Sequence, residues 1–431
     1  MKERAVRRMA GLLAARLPEL NLEGVPDPRA REGRWSLAQI LRATLVGLMA
    51  GCRSLWDAEQ LTEALSPVMR RRLGLPRRLA DTTARDALCR VPLAGLRSVL
   101  HRAVRAAWRR KALAPVGLPL SVVALDGKAT ALPCVNGEFA QTQHPEHGLP
   151  FGIVRTVTCA LVSAAGRPCI DAIPIPAATN EMGHFQTAFA SLVETYGTLF
   201  DVVTYDAGAL SEANASAVMA AGKDYVFALK NEHRIMFKMA TELLDPHDVA
   251  AQTVDVLDGE ITVTRSLTVH GVDPSHGYGE GKGPGESTWR HARTFLGVEY
   301  LKRRGTEVVA RDARIFVSSM EQKRLTPAEW MLLLRSHWGV ENNNHHTLDT
   351  AFAEDDRPWI EADEHGMLAV LLLRRIAYTM LALFRSVTLR SDEGRATRWK
   401  ALLQSVHDML TAATEDQLAG LRQREAAAAT R

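Results

Sequence analysis

Apolar positions between residues 330 and 356 fall at helical spacing. Met331, Leu334 and Trp338, then Leu348 and Phe352, make one stripe that predicts a buried helix face. Glu341 falls on the same side, because Leu334, His337, Trp338, Glu341, His345 and Leu348 are separated by steps of three, four or seven. A carboxylate on a buried face is costly unless a cation meets it. The asparagines Asn342, Asn343 and Asn344 that follow are poor helix formers. Taken alone, the stretch fits a structural helix with a tolerated polar patch as well as it fits a site.

The pattern elsewhere divides the chain. Residues 1–115 read as helices: Trp35 to Met49 with Ser36 as N-cap and Gly51 as stop, Leu55 to Leu73 ending in Arg70, Arg71 and Arg72, a short helix capped by Asp81-Thr82-Thr83, and Leu93 to Lys111. After Pro115–Pro119 the period shortens. Ser121 to Lys128 predicts a buried strand ending in Asp126, and 132–151 a polar loop. Ile153–Val162 and Cys169–Ile175 predict an antiparallel meander, followed by a helix from Asn180-Glu181 to Tyr196. A strand at 200–206, a helix at 211–221, a strand at 224–230 and a helix at 232–244 follow. This β-β-β-α-β-α-β-α order predicts a mixed sheet with helices on both faces. Strands at 253–257, 260–269, 293–300 and 307–317, with a Gly-rich loop at 277–285, predict an all-β insertion ahead of the Glu341 helix. Glu364–Val387 is apolar on most sides, further helices start at Ala396, and the 422–431 tail is expected to fray. The divisions are 1–115, a basic helical DNA-binding domain; 120–252, the first segment of the α/β core; 253–319, the insertion; 320–390, the second segment of that core, with the Glu341 helix; and 391–431, terminal helices.

Composition narrows the class. The 431 residues are 46% hydrophobic and 24% charged, as in an ordinary globular protein. Five scattered cysteines without C-x-x-C spacing argue for reduced thiols in a cytosol and against a disulfide framework. The charged N-terminus does not read as a secretion signal, and the apolar run Met367–Leu373, stopped by Arg374-Arg375, is too short to span a bilayer. Residues 1–120 hold 23 Lys+Arg against 10 Asp+Glu, a net of +13, leaving 30 against 39 over the rest, a net of −9. A basic front end on an acidic body points to a polyanion partner, and two helices with arginines on their connection fit docking in a DNA groove.

The acids carry the chemistry. Asp126 ends the first strand of the sheet, Asp206 the fourth, and Glu341 lies on a later helix. Strands one and four lie side by side in such an order, which brings Asp126 and Asp206 together, and the Glu341 helix packed across that edge completes a three-carboxylate pocket. Hard oxygen donors suit Mg²⁺ or Mn²⁺, and a pair of ions clamps the attacking and leaving oxygens of a phosphoryl displacement. Singly, Asp126-Gly127 also reads as a hairpin turn, and Asp206 as a turn or cap. The order of all three is more specific than any member. His337, His345 and His346 lack a nearby cysteine, which reads against zinc.

On these residues the chain resembles bacterial insertion-sequence transposases of the DDE type, with a ribonuclease-H-like fold and a β insertion before the final Glu, close to the H-repeat-associated, transposase-like subgroup. The resemblance spans about residues 35–390. It is carried by Ala124-Leu125-Asp126-Gly127-Lys128, Thr179-Asn180-Glu181, Val203-Thr204-Tyr205-Asp206-Ala207, Asp224 to Asn231, and Arg335-Ser336-His337-Trp338-Gly339-Val340-Glu341-Asn342 with His345, Leu348-Asp349, Phe352 and Glu354-Asp355. Departures are Ala178 where the subgroup often has Lys, His346 for an aromatic, His233 in the tail of the Lys-Asn motif, and Leu334 and Leu348 where wider relatives have Tyr and Lys. The resemblance implies two Mg²⁺ or Mn²⁺ ions, bridged by Asp126 and held singly by Asp206 and Glu341. It implies Lys128, Lys230, Arg335 and His337 as DNA contacts, and double-stranded DNA (terminal inverted repeats and target) as partner. A homodimer in the synaptic complex, in the cytoplasm at the nucleoid and away from membranes, completes the expectation. Two rivals stand beside it: an inactive or domesticated DNA-binding descendant, and an unrelated hydrolase with paired carboxylates, such as a glycosidase.

Overall fold

The structure, a computed structural model, describes residues 3–29, 33–133, 136–206, 208, 210–230, 234–257, 260–272, 291–389 and 391–419. Ala207, Asn231, His233, the 277–285 loop and the 422–431 tail, all singled out above, lie outside them. The first third folds into α1 (Glu3–Arg16), α2 (Leu37–Met49), α3 (Leu55–Ala64), α4 (Pro67–Leu73), α5 (Asp81–Leu88) and α6 (Leu93–Arg109). Ser36 and Gln39 form a reciprocal capping box at the start of α2. The single helix expected over 55–73 is two, because Ser66 caps a new helix whose first residue, Pro67, has no N–H to continue the old one.

Next come β1 (Val122–Pro133), β2 (Ala140–Gln143), β3 (Phe151–Leu161), β4 (Cys169–Ile175), α7 (Glu181–Tyr196), β5 (Val202–Tyr205), α8 (Glu212–Ala220), β6 (Asp224–Leu229) and α9 (Arg234–Leu243). The run β7 (Ala251–Leu257), β8 (Ile261–Gly271), β9 (Thr294–Arg304) and β10 (Glu307–Ser318) follows. The chain ends in α10 (Pro327–His337), α11 (His346–Thr350), α12 (Glu364–Leu383), α13 (Asp392–Arg395) and α14 (Trp399–Ala412). Ten strands form one mixed α/β sheet in the order β2-β3-β1-β5-β6-β10-β9-β8-β7, with β4 on β3. β1 runs parallel to β5 and antiparallel to β3; β5 runs parallel to β6. The strands of 251–318 extend this sheet, because β10 pairs antiparallel with β6.

Alternation along β1 sorts the two faces. Val123 and Leu125 join a large core that runs from Val6 to Leu418, whereas Val122 and Ala124 join a second core under Trp330, Met331 and Leu334 of α10. The helices of 1–109 therefore share one apolar interior with the sheet. α6 packs on α12 and β4; Arg97 and Arg102 are turned inward, whereas Arg105, Arg109 and Arg110 are exposed. Arg97 grips buried Asp171 of β4 at 2.6 Å, Arg102 bonds the Leu20 carbonyl, and Arg110 pairs with Glu19. α12 and its continuation to Thr388 form a helix long and apolar enough to cross a membrane, yet 94% of its most apolar window is buried inside the fold. Arg374 and Arg375, which end the apolar run in sequence, are buried within it.

Candidate active site

β1 does not end at Asp126. Its pairing with β5 stops at Ala124 opposite Thr204, but its pairing with β3 continues to Pro133. The acid thus sits mid-strand, where the edge on the β5 side opens, and Asp126-Gly127 is no turn. By alternation Asp126 takes the α10 face, as do Thr204 on β5 and Asp206 one residue past its end. Asp206 is exposed and accepts the Gly208 N–H at 2.9 Å.

Glu341 arrives differently from expectation. A capping box between Thr326 and Glu329 starts α10, but after His337 the helix widens into a π turn, Val340–His345, where the His346 N–H reaches the Glu341 carbonyl five residues back. The wider turn breaks the 3.6-residue register, so Val340 and Asn344 are buried and Glu341 is exposed. It lines a groove of about 610 Å³ with Arg167, Arg265, Arg314, Arg335 and Asp312. Burial at the groove raises its carboxyl above the ordinary range, Asp126 raises it further, and Arg314 and His345 oppose them; Asp206 adds a smaller push upward. His345, one turn on, sets Nδ1 3.2 Å from an Asp126 oxygen.

The three acids therefore lie within electrostatic reach of one another, although their oxygens do not all fall within 4.8 Å. Among the described residues that closer spacing is met by Asp349, Glu354 and Asp355. Two ions roughly 3.5–4 Å apart need donors spread more widely than one ion's shell, and a half-solvated set of hard oxygens fits Mg²⁺ or Mn²⁺. The Asp349–Glu354–Asp355 group already has a cation. Lys128, two residues beyond Asp126 on the same face of β1, is bonded to Asp349 and lies 3.2 Å from Asp355 and 3.5 Å from Glu354. Behind it Arg375 bonds Glu354. Burial alone would raise the Glu354 carboxyl, but Arg375, Lys128 and Arg374 hold it down at about 2.

Two of the four expected DNA contacts are thus inside the protein. Lys128 is 8% exposed and held by carboxylates. His337 is 7% exposed; its Nδ1 lies 3.0 Å from the Thr204 hydroxyl, and burial pushes its pKa to about 4, Asp126 notwithstanding. It is a neutral brace between α10 and β5. Lys230 and Arg335 are exposed, at the end of β6 and on α10. Three of the four guanidinium groups that line the groove, those of Arg167, Arg265 and Arg314, went unnoticed in the sequence. Arg167 comes from a left-handed turn, φ +80° at Gly166 and +46° at Arg167; Arg265 and Arg314 come from β8 and β10. Arg314 lies over the Trp338 ring at 4.9 Å and Arg265 over Tyr300 at 5.6 Å. With Arg335 they make four cations along the groove, faced by Asp312 and Glu341 in its lining and by Asp255, which pairs with Arg265 and Arg335.

A fourth acid was also missed as a site residue. Glu181 opens α7, after Asn180, whose side chain caps the helix by accepting the Gly183 N–H. It is half-buried. Burial raises its carboxyl, the charges of Asp126 and Asp206 raise it further, and Arg155 and His345 oppose. In sequence it stood in the Thr179-Asn180-Glu181 motif and at a helix start, where an acid suits the helix dipole, with no site role attached.

No protein-family model matches the chain, and no curated protein matches it. Among solved structures, a piggyBac transposase synaptic complex with hairpin DNA, seen by cryo-EM, is similar at 11% identity and a TM-score of 0.44, over 96% of this chain and 81% of that chain. A likeness at that level decides nothing about chemistry, which rests on the residues described above.

Proposed function

We propose that this chain is a DNA transposase of the DDE type, built on a ribonuclease-H-like sheet and close to the H-repeat-associated bacterial insertion-sequence proteins. The observation that carries the reading is the meeting of Asp126, Asp206 and Glu341. They come from stretches 80 and 135 residues apart, yet each of the first two raises the third. The strand order β4-β3-β1-β5-β6, with its antiparallel and then parallel pairing, supports the fold assignment. The arginine groove beside Glu341 supports a polyanionic substrate.

Asp126, Asp206 and Glu341 would hold the ions. Divalent ions bound there supply Lewis acidity at phosphorus and a more acidic attacking oxygen. Arg314, Arg335 and Arg265 bind the phosphates of the incoming strand and fix its register. His337, neutral and hydrogen-bonded to Thr204, keeps α10 docked over the end of β5. In the first step a water oxygen bonds to phosphorus and the phosphorus–O3′ bond breaks, freeing a 3′-hydroxyl at the element end. In the second, that hydroxyl attacks a phosphorus of target DNA, and the target strand's O3′ leaves. The protein works as a homodimer on paired ends, in the cytoplasm at the nucleoid.

Purified protein incubated with Mg²⁺ and DNA carrying the inverted repeats that flank the gene tests this. Nicking at the repeat ends, lost in Asp126→Asn with DNA binding kept, is the expected result; no nicking at any Mg²⁺ or Mn²⁺ concentration counts against it. The same assay separates the alternative, a DNA-binding descendant without activity, by binding without nicking.

A further inference from the structure

We propose that Glu181 is a fourth carboxylate of the ion-binding cluster, reaching it across Gly127 from the opposite face of β1. The inference rests on the reading of Asp126 and Asp206 as ion ligands. Gly127 belongs to the face of Val123 and Leu125, on which α7 packs, whereas Asp126 faces α10. A side chain at Gly127 would collide with the Glu181 carboxylate, which occupies the space a Cβ would take. The strand residue next to Asp126 is therefore a cradle for this acid. Because β5 leaves the edge of β1 past Ala124, nothing in the sheet separates the two carboxylates there.

The energetics ask for a ligand. Glu181 is half-buried, and among the described residues no hydrogen bond or ion pair holds its carboxylate. The basic groups that act on it are Arg155, which bonds Gln141, and His345, which lies against Asp126. A carboxylate placed by a helix cap into a like-charged cluster, with a glycine kept clear for it, is unfavourable unless a cation joins the group. Among the described residues no arginine or lysine bonds the Glu181 carboxylate; a divalent ion shared with Asp126 and Asp206 satisfies it.

Mn²⁺ titration of the full-length protein, followed by the loss of the free-ion electron paramagnetic resonance signal, tests this without any reaction. Glu181→Gln is expected to weaken ion binding roughly tenfold or more. Gly127→Ala, which displaces the carboxylate without removing it, should do the same, and Glu181→Asp should retain part of the affinity. Glu194→Gln, which removes an exposed acid of the same helix, serves as the charge control and should bind as the wild type does. If Asp126→Asn loses the ion while Glu181→Gln and Gly127→Ala bind it unchanged, this inference fails and the reading of the site stands. If Asp126→Asn also binds the ion unchanged, both fail.

Discussion

Glu354→Gln is the sharpest probe of how the Glu341 segment is held to β1. Glu354 is 1% exposed and bonds Arg375, itself fully buried; Lys128 of β1 reaches the same carboxylate. Removing the charge leaves two buried arginines with too few partners, a defect that costs about 3–5 kcal/mol. The acidity gives a second figure. A fall from the usual 4.5 to about 2 is worth on the order of 3 kcal/mol at neutral pH. A depressed carboxyl stabilises the fold fully above the unfolded value of 4.5 and loses that stability as pH falls towards 2; about 2 kcal/mol of it is gone at pH 3. Urea unfolding of both proteins at pH 7 and pH 3 measures the difference. The variant should be less stable by about 3 kcal/mol at pH 7, with the gap more than halved at pH 3. A gap under about 0.5 kcal/mol at pH 7, or one that does not shrink in acid, refutes the idea that this network clamps the segment.

His337 works in the other pH window. Its folded pKa of about 4 lies below the unfolded 6.5, so the neutral brace loses up to about 3 kcal/mol as pH falls from 6.5 through 4; in His337→Gln, pH-scanned thermal melts should lack that decline. Arg314→Ala and Arg335→Ala should each weaken DNA binding and flatten its salt dependence by about one counterion, read by fluorescence anisotropy across a salt series. Lys128→Met should leave the salt slope alone and lower stability by about 3 kcal/mol, because that ammonium faces carboxylates; a flattened slope would return it to the DNA surface.

Much of the sheet was legible because its strands are short apolar runs bounded by glycines, acids and caps. Val122–Leu125 and Val202–Tyr205 sit side by side as their order requires. Asp126 was misplaced to a strand end because Asp-Gly favours turns, and only the long ladder with β3 overrides that preference. Glu341 was put on the buried face because 3.6-residue counting assumes an α-helix, which the π turn at Val340–His345 interrupts. Lys128 looked like a surface cation because its partners Asp349 and Asp355 lie more than 200 residues away. Arg374-Arg375 read only as the end of an apolar run, and the buried Glu354 that allows them inside was out of sight. Glu181 was marked only as part of the Thr179-Asn180-Glu181 motif, since its relation to Gly127 exists only once α7 lies on the sheet.

Two acidic groups in this protein compete for the role of ion site, so locating a bound ion decides the account. Anomalous diffraction from crystals grown with Mn²⁺ and a DNA end should place the metal between Asp126, Asp206 and Glu341. Manganese seated instead among Asp349, Glu354 and Asp355, with Lys128 expelled, would contradict it.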